Sequence, residues 1–225
     1  MAESSPQAGP SIRDTLFGDL PLELVPPGDA PASLGEPWVT FMAARKAVSE
    51  GRPNEAIELW QQIARTSGLE SRHYAQAWHF LRAQGLRPPA EIERLLLGVV
   101  VEVPLLNGLD LLAAYPDHHA RYYNFSGAGV VWDHPNDSLD PIIDALLEAG
   151  RQIASKVGIW NGPRPPAPPT GEIRVNIISP SGLHFGQGPG KSMANDPLAR
   201  PAIEAANSLM QQLVAQARQN NSMKP

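Results

Sequence analysis

The chain has 225 residues, is 42% hydrophobic and contains no cysteine, so it has room for one large domain or two small ones and excludes disulfides, thiolate metal sites and cysteine nucleophiles. Its formal charge of −5 lies within residues 1–36, where Glu3, Asp14, Asp19, Glu23, Asp29 and Glu36 face a single base, Arg13; the rest of the chain carries 17 acids and 17 bases. A neutral body with an acidic leader lacks the basic footprint that phosphate backbones require, so nucleic acid is not expected as the principal partner. No apolar run reaches the roughly 18 residues of a membrane span, and MAESSPQAGP has neither the basic nor the apolar region of a secretory signal, so a cytoplasmic protein is expected.

Residues 1–36 carry six prolines among small and polar residues and are expected to form a disordered acidic tail. An apolar island, Ile12 to Val25, interrupts it. Its Leu16, Phe17 and Leu20 are too apolar to stay in water, so they serve either as a strap on the protein's own body or as a docking segment for a partner. Three helices are expected over residues 37–87. Pro37 opens the first, with Trp38, Phe41, Met42 and Val48 as its apolar stripe up to Gly51. Pro53 opens the second, with Ala56, Trp60 and Ile63 at helical spacing. The third places Tyr74, Ala77, Trp78 and Leu81 on one face and stops at Gly85.

Gly51, Ala56 and Trp60 stand where a tetratricopeptide-type helix pair has its inter-helix glycine, small alanine and large aromatic. Residues 38–66 therefore resemble a single such unit, although Gly68 replaces the usual terminal proline and Ala44 and Ala47 replace the first-helix glycine and tyrosine. No second copy is present, so a repeat array is not implied. The resemblance implies a helical hairpin that offers a surface to another protein.

Residues 88–219 read as an α+β domain of order ββββαββα, followed by a frayed end at 220–225. Leu97 to Val103 form a nearly continuous β-branched strand. The stretch Gly108 to Pro135 then reads as a three-stranded antiparallel meander, cut by Pro116-Asp117 and by Ser126 to Gly129. Ser138 begins a long helix with Ile142, Leu146, Ile153 and Val157 inward. A glycine inside that helix, Gly150, costs about 1 kcal/mol against alanine and signals a close backbone approach. The proline-rich segment 160–171 is a stiff connector, Ile173 to Ile177 a half-buried strand, and Leu183 to Phe185 a short one. A glycine-rich loop and a last helix opened by Pro201 follow. The expected fold class is α+β: a helical hairpin plus a third helix, with a mainly antiparallel sheet in a two-layer α/β sandwich.

Three groups of residues invite a chemical reading. Gly186 to Ser192 ends in GKS, but Phe185 occupies the position where a phosphate-binding loop needs its first glycine, leaving at most a weaker anion site at Lys191. His118, His119, His134 and His184 show no paired ligand spacing, and adjacent histidines on a strand point to opposite faces, so no metal site and no cofactor are expected. Arg121, Tyr122, Asn124 and Asp133, joined by His184 and Lys191, form a candidate binding cluster near the meander and the glycine loop. No catalytic signature is visible. The leading expectation is a protein-interaction or adaptor module, docking through the N-terminal segment or the helical hairpin. A small-molecule-binding or enzymatic domain using the polar cluster is the alternative.

Overall fold

The computed structural model describes residues 10–27 and 35–222. It divides into two compact units, residues 1–86 and 87–225.

The first unit is helical. Its helices are α1 (Ile12–Phe17), α2 (Trp38–Ser49), α3 (Pro53–Arg65) and α4 (Ser71–Ala83). Helix α1 starts with a capping box: Ser11 Oγ accepts the Asp14 amide at 3.1 Å, and Asp14 Oδ2 accepts the Ser11 amide at 2.9 Å. It ends at Gly18, whose φ of 59° is the left-handed closing conformation. Leu16, Phe17, Leu20 and Val25 are buried. The Gln76 side chain of α4 accepts from the Leu20 amide at 2.9 Å and donates to the Leu20 carbonyl at 3.0 Å, as a neighbouring strand would. Residues 10–27 are thus an ordered strap on α4 and not part of a disordered tail. Leu16, Phe17 and Leu20 are spent inside the unit, because water penalises such side chains more than ordering the strap costs. The rest of the expected tail, residues 1–9 and 28–34, lies outside the described residues. Trp60, Phe41 and Phe80 form the aromatic centre, with the Trp60 and Phe80 ring centroids 5.0 Å apart.

The second unit is α+β. A six-stranded antiparallel sheet runs β4-β3-β2-β1-β5-β6, with β1 Gly98–Leu105, β2 Gly108–Ala114, β3 Ala120–Tyr123, β4 Gly129–Trp132, β5 Glu172–Ser179 and β6 Gly182–Pro189. Helices α5 (Asp140–Lys156) and α7 (Arg200–Ser222) pack on one face, and α6 (Gly190–Met193) is a single turn. The core between sheet and helices gathers Val99, Val101, Leu112, Trp132, Val175 and Ile177 with Leu146 and Leu209. Gly150 of α5 lies on this core, and a methyl group there would stand 2.5 Å from Val99 Cγ2.

The proline-rich connector runs along the opposite face: Trp160 bridges to Leu183, and Arg174 donates to the Pro166 carbonyl at 2.7 Å. Glu102, Arg174 and Asn176 are buried on that face and bond one another, with Arg174 Nη1 3.2 Å and Asn176 Nδ2 3.1 Å from Glu102 Oε2. One sequence expectation is corrected here. Gly186 to Pro189 is not a loop but the second half of β6, paired with Glu172 to Val175. Glycine is a poor strand former in isolation, but β5 supplies a full partner edge, and the side of Gly186 and Gly188 lies against Met193.

Candidate metal centre

The β2–β3 and β3–β4 turns are twins. In the first, the Tyr115 amide donates to the His119 carbonyl and the His118 amide to the Tyr115 carbonyl, both at 3.0 Å. In the second, the Asn124 amide donates to the Ala128 carbonyl at 2.9 Å and the Gly127 amide to the Asn124 carbonyl at 2.8 Å. This pattern puts one residue in the left-handed region, where glycine is the natural occupant. The second turn has Gly127 there, at φ 82°; the first has His118, at φ 58°. The only other non-glycine residue at positive φ among the described residues is His134, at φ 51° in the turn that leads from β4 to α5. A side chain in this conformation costs on the order of 1 kcal/mol, so both turns hold a histidine against the local backbone preference.

The two histidines meet at Asp140, in the first turn of α5. His134 Nε2 lies 3.0 Å from Asp140 Oδ1 and 3.3 Å from Oδ2, and His118 Nδ1 lies 3.5 Å from Asp140 Oδ2. The imidazole centroids are 5.2 Å apart. One donor atom from each of the three residues fits within 4.8 Å of the others. A tetrahedral ion with bonds of about 2.0–2.1 Å has donor atoms about 3.3 Å apart, and the nitrogen-to-Asp140 distances of 3.0 and 3.5 Å lie on either side of that value. Imidazole–carboxylate hydrogen bonds span the same distances, so spacing alone does not separate the two arrangements.

The outer nitrogen of His118 carries more information. Its Nε2 is 3.1 Å from Asp144 Oδ1, one helical turn beyond Asp140 on the same face of α5. A carboxylate that takes the far N–H of an imidazole fixes its tautomer and turns Nδ1 toward the centre, as the outer partners of metal-bound histidines do. Asp137 Oδ1 is 3.6 Å from His134 Nε2 and almost fully solvent-exposed. His118, His134 and Asp140 are themselves part-buried, so water and small ligands reach the centre.

The cluster expected from the sequence is not assembled. Arg121 and Tyr122 are neighbours on β3 and point to opposite faces of the sheet. Arg121 is buried and donates to Asp133 Oδ1 at 2.6 Å. Tyr122 faces the helices and donates to Asp110 Oδ2 at 2.8 Å. Asn124 closes its own turn, its Oδ1 accepting from the Ser126 and Ala128 amides at 3.0 Å each. His184 is 1% exposed on β6, beside the Val157 carbonyl at 3.3 Å and Ser179 Oγ at 3.4 Å. Burial pushes its pKa below the ordinary histidine value, so it is neutral at pH 7. Ser179 donates toward the Gly182 carbonyl and, among the described residues, no carboxylate backs His184, so the pair is structural. Lys191 is exposed on α6.

The spacing of His118, His119, His134 and His184 along the chain gives no paired ligand set; the structure brings His118 and His134, 16 residues apart, to Asp140. No helix among the described residues is long and apolar enough to cross a membrane. No family model, no curated protein and no solved structure matches the chain.

Proposed function

We propose that the α+β unit is a mononuclear metal-binding module, which holds a zinc-class divalent cation through His118 Nδ1, His134 Nε2 and Asp140, with Asp144 orienting His118. The observation that carries this reading is the occupancy of the left-handed position: His118 stands where the twin turn has Gly127, and its ring is aimed at the one carboxylate that His134 also meets. Two imidazoles and a carboxylate suit zinc, nickel or ferrous iron, whereas magnesium and calcium prefer all-oxygen sites. Three protein donors leave a position for water or substrate. An ion held in this way lowers the pKa of its bound water and polarises a carbonyl or phosphoryl oxygen, so metal-assisted hydrolysis is the reaction class the centre suits.

The test is calorimetric titration of the metal-stripped chain with zinc, with magnesium as control, on the parent, His118→Gly and His134→Asn. Stoichiometric zinc binding that both variants lose, with folding intact, is the expected result. Equal zinc affinity in parent and variants, or none in the parent, removes the proposal.

A second reading keeps the protein-interaction role and moves its surface. Leu106 is 92% exposed, and Leu105 and Phe125 are exposed at neighbouring hairpin tips, where the Phe125 carbonyl closely approaches Gly108. Apolar side chains clustered at strand ends are a recognisable docking edge for another protein. Affinity capture with the parent and with Leu106→Asp/Phe125→Asp tests it; an unchanged set of captured proteins counts against it.

A further inference from the structure

A second, independent site lies between the sheet and α7. There the helix stands off the strands and leaves a half-open cleft of about 160 Å³. Val101, Val103, Leu112, Ile173, Ile203 and Met210 make it mostly apolar. Three residues bring polar groups to it: Asp110 of β2, Tyr122 of β3 and, from the helix side, Asn207 of α7. Asp110 is held in place on two sides. Its Oδ2 accepts from the Tyr122 hydroxyl at 2.8 Å and its Oδ1 from the Phe125 amide at 2.7 Å. A carboxylate has about four acceptor positions, so two remain.

Burial and the Asp110 carboxylate push the Tyr122 pKa up to about 12, which keeps the phenol a donor to Asp110. No lysine, arginine or histidine lines the cleft, and among the described residues none pairs with Asp110. A carboxylate against apolar walls without a counter-charge is an incomplete ion pair, which a ligand can complete.

We infer that this cleft binds a small organic ammonium ion, its apolar body between β1, β2 and α7 and its charged nitrogen on Asp110. The volume sets the size: a protein cavity of about 150 Å³ holds one benzene-sized ring. The amine then sits against Asp110, and Asn207 of α7 also lines the cleft. Neither the metal donors nor their orienting carboxylate line this cleft, so the two sites stand or fall separately.

The probe is benzylammonium, followed by ¹H–¹⁵N NMR titration of the full chain, with benzyl alcohol as its neutral isostere and benzoate as the anion. A ligand of about eight non-hydrogen atoms is expected to saturate with a Kd on the order of 1 mM. Shifts should be concentrated at Asp110, Leu112, Tyr122 and Asn207, benzyl alcohol should bind at least about tenfold more weakly, and benzoate should not bind. Asp110→Asn keeps the shape and the hydrogen-bonded turn and removes the charge; it should bring benzylammonium down to the affinity of benzyl alcohol. Ala206→Leu fills the cleft from the helix side and should abolish both. Absence of saturable shifts in the parent overturns the inference. So does equal binding of amine and alcohol, or an Asp110→Asn variant that spectra show folded and that still binds the amine as the parent does.

Discussion

Gly150→Ala sets two well-measured effects against each other, and the structure decides the sign. In an isolated helix the change stabilises by about 1 kcal/mol, since glycine has more backbone freedom to lose. In α5 the new methyl would lie 2.5 Å from Val99 Cγ2 and 3.7 Å from Ile177 Cγ1. Carbon atoms rest at about 3.5–4.0 Å, so the helix or the strand has to yield by about 1 Å. Neither yields cheaply. Val99 is fully buried, and β1 is hydrogen-bonded on both edges by β2 and β5.

Overpacking of this kind costs about 1–3 kcal/mol; against the helix gain of about 1 kcal/mol, the net expectation is a loss of up to about 2 kcal/mol. Urea denaturation followed by circular dichroism reads it as a lower midpoint at unchanged slope. Val99→Ala/Gly150→Ala supplies the decisive comparison. Shortening Val99 removes the atom the methyl meets, so the double variant should be more stable than the two single losses add up to, by about 1 kcal/mol. A Gly150→Ala protein more stable than the parent, or losses that simply add, would falsify the close-approach account.

Four further outcomes are expected of this structure. His118→Gly relieves a left-handed side chain, so the metal-free protein should keep its stability or gain up to about 1 kcal/mol; a clear loss in denaturant midpoint would mean that the imidazole is there for the fold. Asp144→Asn should weaken zinc about 10–100-fold and leave the stoichiometry at one, as measured by competition with a chromophoric chelator; an unchanged affinity removes Asp144 as the orienting group. Gly18→Ala should loosen the strap, because φ is 59° and the added carbon would stand 2.6 Å from the Arg72 carbonyl oxygen; the check is faster tryptic cleavage at Arg13, and unchanged cleavage counts against it. His184 resists protonation in the fold while the unfolded chain accepts a proton near pH 6.5, so its contribution is complete above that pH and falls away below it, by at most about 1.4 kcal/mol per unit. His184→Gln should flatten that part of the stability profile between pH 7 and 5; parallel profiles for the two proteins refute it.

Some of this architecture is written in local sequence. The nearly continuous β-branched run of Leu97 to Val103, the period-two pattern of Ile173 to Ile177 and the period-3.6 pattern of Ile142 to Val157 specify two strands and a helix without reference to anything distant. The α+β class follows, and so does the warning at Gly150, since a glycine inside a strong helix is costly unless something approaches it. The apolar island was legible in part. Leu16, Phe17 and Leu20 had to leave water, and of the two uses this left open, strap or docking segment, only their packing on α4 decided for the strap.

The binding cluster read from the sequence did not form, because nearness along a strand is not nearness in space. Arg121 and Tyr122 are separated by the thickness of the sheet, and Asn124 spends its side chain on its own turn. The candidate metal centre needed facts that only the tertiary structure contains. These were the twin turns that put His118 in a glycine position, the reversal at His134, and the start of α5 that brings Asp140 to both rings and Asp144 to His118. Periodicity fixes which face a residue takes; the meeting of two turns and a helix end depends on strand register and packing, which no local pattern encodes.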